Sequence, residues 1–453
     1  MGVAAVAVAV GAGHLVAALV APAASPPLAV ADGVVRIAPP SLVEFAKAAF
    51  GTADKPVLLA GIAVLLIGIA VLAGLVARRR PWPAHAAVLA LGLVAVAALW
   101  TAPSLAQLDL FPTLAAMAAG AAAVNWLHPR LRPARPDPSG RPLTRRRMLH
   151  GSTALGIVGA AAVATGAAGQ LLARGVGDSR AQVTRLLAAT PVVPAPPVPP
   201  GADLAAFGAP PVITANADFY RIDTALRVPA LSAADWSLRI HGLVDRELTL
   251  SFADLVARPL VERTLTLTCV SNEVGGDLVS TARFVGVDLR VLLQEAGVRP
   301  GAEQILSTSA DGWTAGTPTA VVLEPDRGAL LAVGMNGEAL PREHGFPVRM
   351  VVPGLYGFVS ATKWLTDLEL TTFAARDAYW VQRGWARQAP VKTQSRIDRP
   401  RGFAPLPAGR VVLAGTAWAQ HTGVERVEVR ADDGPWQAAQ LATEVNLLSL
   451  IHI

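Results

Sequence analysis

The feature that most constrains this chain is a series of apolar stretches, each about as long as a bilayer-spanning helix. Five occur before residue 175, at about 3–22, 57–77, 84–102, 108–127 and 149–172. A helix needs roughly 20 apolar residues to cross the hydrocarbon core. The chain is also 53% hydrophobic and only 16% charged, which is too apolar for an ordinary soluble protein. The sequence therefore predicts a region of five transmembrane helices over residues 1–175.

Charge is distributed unevenly along the chain. Residues 1–200 contain 16 Lys and Arg against 6 Asp and Glu, whereas residues 201–453 contain 23 against 27. Basic residues between apolar segments are the usual orientation signal of membrane proteins. We therefore expect membrane lipid, and not nucleic acid, as the partner of the basic half.

Arginine-rich loops indicate which side of the membrane each segment faces. The loop ARRRPWPAH follows the second apolar stretch, and seven arginines lie between His128 and Arg147, but TAPSLAQLD after the third stretch has none. The positive-inside rule predicts that the two basic loops are cytoplasmic and that the chain after residue 175 is outside the cytoplasm. The first stretch contains His14 and has no basic flank, so a signal peptide remains an alternative there.

The fifth stretch has two interpretations. It begins TRRRMLHGSTALGIVGAAAVATGAAG, which is typical of a twin-arginine export signal placed internally. A plain stop-transfer helix with a basic flank would have the same composition. An export signal would suit a domain that receives a cofactor in the cytoplasm and crosses the membrane folded.

The remainder of the chain divides by composition into four parts. Residues 176–213 include a Pro/Ala-rich run and predict a semi-rigid linker. Mixed helix and strand patterns over 214–389 predict an α+β domain, and alternating residues around an Asp-Gly turn over 390–447 predict a truncated all-β domain. The ending LSLIHI, within 448–453, resembles the translation of a transposon-end sequencing adapter, so we exclude it from fold reasoning.

The only cysteine of the chain lies where a predicted strand ends. In TLTLTC, Leu265, Leu267 and Cys269 alternate with threonines, and SNEVGG follows. A lone cysteine is commonly a small buried hydrophobe. However, polar residues and two glycines directly after the thiol favour a site that something approaches closely. There, a thiolate is a nucleophile if a histidine base is near, or a soft-metal ligand if a cofactor supplies the other ligands.

Basic residues in the segment 343–365 indicate an anion site. Arg349 lies in VRMVV, which is apolar on both faces, and a buried guanidinium requires an anionic partner. Lys363 and Lys392 are the only lysines after residue 200. Together with His344, the residues Arg349 and Lys363 predict a site for a phosphate-bearing cofactor. The alternative is that these three residues form a structural ion-pair network.

Five motifs in order along the chain resemble one known family. They are TLTCVSN, STARFVGVDL, MNGEALPREHGFPVR, VVPGLYGFVSATKWL and APVKTQS. The resemblance is to the molybdopterin domain of the sulfite oxidase family, in particular its membrane-attached bacterial members. It implies a mixed α+β fold that binds a molybdenum–molybdopterin cofactor, with one cysteine thiolate on the metal. The region after Pro400 resembles the family's immunoglobulin-like dimerisation domain, here incomplete, so a homodimer is possible when that domain is complete.

The resemblance also implies roles for individual residues. Cys269 matches the metal ligand, and His344 and Arg349 match residues that bind the phosphate end of the cofactor. Ser360, Thr362 and Lys363 match the loop that closes on the pterin. The remaining cofactor-site candidates are Arg221 and Asp223 in FYRIDT, Asn272, and Asp311 in SADGW.

Departures from the family pattern bear on the substrate. Sulfite oxidases carry arginines after the cysteine, whereas this chain has Glu273, Asp277 and only Arg283 there, and Trp385 stands near a family tyrosine. An acidic pocket would repel sulfite. We therefore expect oxygen-atom transfer on a neutral or cationic small molecule, such as a sulfoxide or N-oxide, with an unidentified electron-transfer partner. The alternatives are a cofactor-free, membrane-tethered binding or sensor domain, and a hydrolase in which His344 activates Cys269.

The arginine-rich loops generate a prediction about topology. A reporter that is active only outside the cytoplasm should be active when fused after Val193 and inactive when fused at Pro138, because positive loops stay inside. Enzyme activity of the two fusions in intact cells measures this. Activity at Pro138 and none at Val193 would reverse the predicted orientation.

Overall fold

The computed structural model describes residues 1–20, 24–50, 53–100, 107–131, 174–225, 228–402, 404–406 and 408–453. They form two compact units. The first comprises Met1–Gly175 with Ala225–Ala230, and the second comprises Val176–Thr224 with Leu231–Ile453. The predicted fifth span and the twin-arginine motif lie outside the described residues.

The first unit is helical. Its helices are α1 (Gly2–Val20), α2 (Pro26–Ile37), α3 (Pro40–Phe50), α4 (Asp54–Val76), α5 (Trp82–Trp100) and α6 (Leu110–Leu131). Four of them, α1, α4, α5 and α6, are long and apolar enough to cross a membrane, and they coincide with the first four predicted spans. Large apolar side chains such as Leu65 and Leu72 face outward, which is typical of helices that contact lipid. These helices are compatible with a membrane anchor.

Two shorter helices, α2 and α3, lie between the first two candidate spans and were not predicted. Helix α2 begins at Pro26, a residue that suits the first turn because its missing N–H would be unpaired there. The side chain of Arg36 donates to the carbonyl of Ala98, near the end of α5. A cation at a helix C-terminus is favoured by the helix dipole.

The second unit contains two main sheets. The first has the order β1–β4–β5–β8–β10, with β9 paired to β8. Its strands are β1 (Val192–Val193), β4 (Leu260–Thr268), β5 (Val279–Asp288), β8 (Leu330–Met335), β9 (Glu338–Ala339) and β10 (Arg349–Val351). All pairs are antiparallel except β1 with β4. This sheet carries the predicted strands TLTLT and VRMVV.

The second sheet has the order β3–β2–β11–β6–β7. Its strands are β2 (Ser237–Gly242), β3 (Leu248–Ser251), β6 (Gln304–Ser309), β7 (Thr314–Pro318) and β11 (Leu365–Thr371). One hydrophobic core includes buried side chains of both sheets, among them Leu265, Phe284, Leu331 and Leu368. The second unit therefore has a mixed α+β fold, as predicted.

Short helices connect the strands of the second unit. They are α8 (Phe252–Val256), α9 (Leu289–Ala296), α10 (Thr319–Leu323) and α11 (Gly357–Ser360). Ser251 and Asp254 form a capping box at the start of α8, and α9 ends at Gly297 in the left-handed region, as its sequence predicts.

The segment 176–213 differs from the predicted linker. It contains strand β1 and all but the first two residues of helix α7 (Arg174–Ala189), and β1 pairs with Leu260 and Val261 of β4. Val183 is buried in the core of the second unit. Part of the segment is therefore built into the folded unit, because its few apolar residues find partners that a composition argument does not reveal.

The chain after residue 390 is all-β in its regular elements. Strands β12 (Gln394–Arg399), β13 (Ala414–Trp418) and β16 (Ile451–His452) form one sheet, and β14 (Glu428–Val429) pairs with β15 (Gln437–Ala438) around the predicted Asp-Gly turn. The immunoglobulin-like class stays a prediction. The ending that was excluded from fold reasoning is part of this sheet, since Ile451 pairs with Ala417 and is buried.

Helix α7 generates a prediction about stability. Arg180 donates to the carbonyls of Leu340 and Ala339, both at 3.1 Å, and its Nη2 lies 2.9 Å from Glu338. Arg180→Ala should destabilise the second unit by about 1 to 2 kcal/mol, because two charge-assisted hydrogen bonds are lost at a partly exposed site. Arg185→Ala, on the exposed face of the same helix, is the control. Equal melting temperatures of the two variants would contradict the assignment of α7 to the folded unit.

Candidate active site

Cys269 lies one residue beyond the end of β4, as the sequence predicts. Its backbone N–H donates to the carbonyl of Leu278 at 3.0 Å, and its own carbonyl accepts from the N–H of Asn272 at 3.1 Å. The first bond extends the β4–β5 ladder by one step, and the second begins a turn. Cys269 is half-buried, and its backbone is held by this ladder.

The loop that follows Cys269 is closed by Asn272. The side-chain oxygen of Asn272 accepts from the N–H of Leu278 at 2.9 Å. Val274, at the tip, is fully exposed, and Glu273 and Asp277 are exposed too. Asn272, a predicted cofactor residue, therefore shapes the loop around the thiol.

Arg349 is buried in β10, with 4% of its surface exposed. Its Nη1 donates to the carbonyl of His344 at 3.1 Å, and its guanidinium lies 5.8 Å from the ring centre of Phe284. Its Nε is buried without a hydrogen-bond partner, and within the described residues no carboxylate forms an ion pair with it. Burial lowers the pKa of Arg349 to about 10. This group lacks an anion.

Lys363 lies in a small network with two other predicted residues. Its Nζ donates to Asp223 Oδ2 and to the carbonyl of Glu343, both at 2.9 Å, and Arg221 Nε donates to the same carboxylate oxygen at 3.0 Å. Burial lowers the pKa of Lys363 to about 8, although Asp223 opposes that shift. The structure thus brings Arg221, Asp223 and Lys363 together.

Gly345 allows two of the cations to lie side by side. It has a φ of +112°, and a Cβ on it would lie 3.0 Å from the Cβ of Arg349 and 3.1 Å from the Cα of Lys363. Any side chain there would be strained and crowded. The two cations therefore flank one backbone position next to His344.

His344 is buried beside Arg349. Its Nε2 is 3.1 Å from the carbonyl of Asn216, and its ring centre is 5.3 Å from that of Phe219. Burial, and secondly Arg349, lower the pKa of His344 to about 4. The imidazole is therefore neutral near pH 7, with the proton on Nε2.

Three other predicted residues are placed less directly. Ser360 Oγ donates to the carbonyls of Leu355 and Tyr356, and Thr362 Oγ1 is 2.6 Å from Ser307 Oγ. These hydroxyls are used inside the fold. Burial raises the pKa of Asp311, and the charges of Asp223 and Lys363 also act on it, so Asp311 borders the Lys363 network.

Tyr220 and Asn216 are part of the site and were not predicted. Burial, followed by the neighbouring Cys269, raises the pKa of the Tyr220 phenol, while Arg349 acts in the opposite direction. Tyr220 therefore lies near both the thiol and the guanidinium. It is one of only three tyrosines in the chain and lies in the motif FYRIDT, next to the predicted Arg221. That position is the sequence signal from which it could have been predicted.

Comparison with known proteins agrees with this geometry. A family described as "Oxidoreductase molybdopterin binding domain" matches residues 225–380. Chicken (Gallus gallus) sulfite oxidase is 33% identical over 261 residues, which cover 48% of this chain and 56% of that protein. The uncharacterized oxidoreductase YuiH of Bacillus subtilis (strain 168) is 35% identical over 150 residues, which cover 33% of this chain and 72% of that protein.

The chain belongs to the sulfite oxidase family of molybdopterin-dependent oxidoreductases. It spans about half the length of the sulfite oxidases it matches. The sulfane dehydrogenase SoxCD of Paracoccus pantotrophus is also similar, with 26% identity, a TM-score of 0.48, and coverage of 56% of this chain and 72% of that chain.

Family membership indicates a molybdenum–molybdopterin cofactor, and the residues present fit it. The buried Nε of Arg349 has no hydrogen-bond partner among the described residues, and a cofactor phosphate would supply one. Within the described ranges, no three His, Cys, Asp or Glu side chains could hold a metal ion together. A metal at Cys269 therefore takes its other ligands from a cofactor.

The departures from the family pattern have structural positions. Arg283 lies on β5 and is half-buried, and its backbone N–H donates to the side-chain oxygen of Asn336. The ring of Trp385 stacks on Trp380 at 4.4 Å and meets Phe358 edge-on at 4.9 Å. Phe358 belongs to α11, which follows a loop near the Cys269 strand. Trp385, a side chain without a hydroxyl, therefore packs against α11.

The pKa of His344 generates a prediction about pH. Its folded value, about 4, lies below the ordinary value of 6.5, so the unfolded chain binds more protons between these pH values. Stability of the cofactor-free protein should therefore fall as pH drops from 6.5 to 4, by up to about 3 kcal/mol from this residue. Urea midpoints at pH 4.5 and 7.5 should differ less in His344→Gln than in the unsubstituted protein. Equal differences would contradict the burial argument.

Proposed function

We propose that this chain is a membrane-anchored oxidoreductase whose second unit lies outside the cytoplasm and transfers an oxygen atom to or from a neutral or cationic small molecule. The observation that carries the proposal is the pairing of a half-buried lone thiol with a buried guanidinium that lacks an anion. A thiolate is a good ligand for a soft metal and a guanidinium is a good partner for a phosphate, and a molybdopterin cofactor brings both.

The proposed roles follow from the contacts of each residue. Cys269 holds the metal, and Arg349 and Lys363 hold the phosphate end of the cofactor. His344, with its proton on Nε2 toward Asn216, stabilises the segment that contains Tyr220. Asp223 orients Lys363, and Arg221 orients Asp223. Asn272 closes the thiol loop.

The bound cofactor would supply the two-electron oxygen-atom transfer. Tyr220 keeps its proton because burial raises its pKa, so the phenol would remain a hydrogen-bond donor near the thiol. It could orient an oxygen-bearing substrate there. The protein thus contributes fixed positions and a polar contact, and the redox chemistry belongs to the cofactor.

The substrate proposal depends on charge. Glu273 and Asp277 are exposed in the loop after Cys269, and the loop itself carries no arginine. Carboxylates at the mouth of a site disfavour an anion such as sulfite and favour a neutral or cationic molecule. A sulfoxide or an N-oxide has the required oxygen and no net negative charge. The electron-transfer partner stays unidentified.

The cell membrane location rests on composition. Helices α1, α4, α5 and α6 would anchor the chain in lipid, and the basic loops would place the second unit outside. A homodimer through a complete C-terminal domain stays a further proposal.

The two alternative functions are less well supported. A hydrolase needs the ring of His344 to accept a proton from Cys269, yet the Nε2 of His344 bonds to the carbonyl of Asn216. A cofactor-free binding domain would keep Arg349 buried without an anion, which costs on the order of 3 kcal/mol.

Cys269→Ser tests the proposal. Serine has a similar size but offers a hard oxygen in place of a soft thiolate, so the domain should fold and retain pterin. Turnover should fall at least about 100-fold, which corresponds to ~2.7 kcal/mol of transition-state stabilisation. The measurements are melting temperature, pterin and metal content, and oxygen-atom transfer with a sulfoxide and an N-oxide.

Ser271→Ala is the matched control, because it removes an exposed hydroxyl from the same loop. It should behave like the unsubstituted protein. A Cys269→Ser protein with near wild-type oxygen-atom transfer would refute the ligand assignment.

A further inference from the structure

Strand β12 presents three polar side chains to the interior. Gln394, Arg396 and Asp398 are partly buried, and the residues that alternate with them are exposed. The period of two along a strand places these three on one face. This inward face lies against the loops that flank Cys269, as the following contacts show.

Arg396 contacts the thiol loop directly. Its Nη1 donates to the carbonyl of Gly276, and its Nε donates to Asp398 Oδ1 at 2.7 Å. The hydroxyl of Thr416, on the neighbouring strand β13, donates to the other oxygen of Asp398. Only 10% of the Arg396 side chain is exposed. Asp398, itself bound by Thr416, therefore fixes the guanidinium of Arg396, which in turn holds the loop.

Hydrogen bonds hold the thiol loop, residues 270–277, at three places. Cys269 and Asn272 bond to Leu278 where the strands end, the N–H of Gly276 donates to the carbonyl of Glu273 at 2.9 Å within the loop, and Arg396 donates to the carbonyl of Gly276 from outside it. The residues around the tip are mostly exposed. Arg396 thus ties this loop to strand β12.

The segment before Arg396 holds the second flanking loop. The N–H of Val391 donates to the carbonyl of Gly354 at 2.9 Å, and Gln394 Nε2 donates to the hydroxyl of Tyr356 at 2.9 Å. The next residue, Gly357, is close to Cys269, since a Cβ on it would lie 3.8 Å from the carbonyl of Thr268. One short segment therefore ties together both loops beside the thiol.

We infer that Arg396 is a positioning residue for Cys269, acting through the Gly276 carbonyl and oriented by Asp398 and Thr416. The effect of Arg396 on metal binding rests on the proposed function of Cys269, whereas its effect on the conformation of the loop does not. The all-β region after residue 390 then sets the geometry of the thiol, in addition to any role in association.

The first test uses the full chain without cofactor. Because Cys269 is the only cysteine, its alkylation by N-ethylmaleimide reports the opening of this loop alone. Arg396→Gln should be alkylated roughly tenfold faster, since a charge-assisted hydrogen bond no longer limits local opening. Arg396→Lys should give an intermediate rate, because an ammonium can keep one of the two contacts.

Arg399→Gln is the matched control. Arg399 lies on the same strand but its side chain donates to the carbonyl of Gly208, away from the thiol loop. Its alkylation rate should equal that of the unsubstituted protein. Equal rates for Arg396→Gln and Arg399→Gln would overturn the inference. If Arg396→Gln does not fold, Asp398→Asn decides, since it should raise the rate by freeing the guanidinium, and an unchanged rate would overturn the inference.

The second test uses the protein with its cofactor. The electron paramagnetic resonance spectrum of Mo(V) should change in Arg396→Gln, recover in part in Arg396→Lys, and stay unchanged in Arg399→Gln. An unchanged spectrum in Arg396→Gln would overturn positioning of the metal ligand. Absence of molybdenum from the unsubstituted protein would refute the proposed function, while the alkylation rates would still decide whether Arg396 holds the loop.

Discussion

A guanidinium buried without an anion is the constraint on which the second unit depends. The depression of the Arg349 pKa from 12.5 to about 10 corresponds to roughly 3 kcal/mol of unfavourable burial. The fold nevertheless places Lys363 beside it, by using a glycine at a φ of +112°. Two cations in one buried place raise that cost further. An anion bound there would offset this cost, which is why we propose a phosphate-bearing cofactor for the site.

The thiol and the cations are held by different kinds of structure. Cys269 continues a long antiparallel ladder of nine-residue and ten-residue strands, so its position is set by regular hydrogen bonds. The cations lie on a three-residue strand and in a loop, and their positions depend on hydrogen bonds to the Asp223 carboxylate and to the backbone carbonyl of His344. A cofactor that contacts both the thiol and the cations would connect the rigid strand end at Cys269 to the cationic residues, whose charge it would neutralise.

The sequence predicted the features that local pattern controls. Apolar length located α1, α4, α5 and α6, and alternation located β4 and the end of the strand at Cys269. It failed where distant residues decide. Strand β1 was taken for linker because its partner, Leu260, is some seventy residues away. Tyr220 was missed because its role depends on neighbours contributed by β4 and β10.

The C-terminal segment also makes contacts that sequence pattern does not predict. Val391, Gln394 and Arg396 contact two loops that precede them by some 40 to 120 residues, so no motif within either part shows the connection. His421 adds a contact to Pro353, in the second of these loops. Loops that bear reactive groups need support from outside their own strands, because their exposed backbone provides few internal contacts. The strands after residue 389 therefore support the loops that flank Cys269, which is why we propose that they belong to the environment of the thiol.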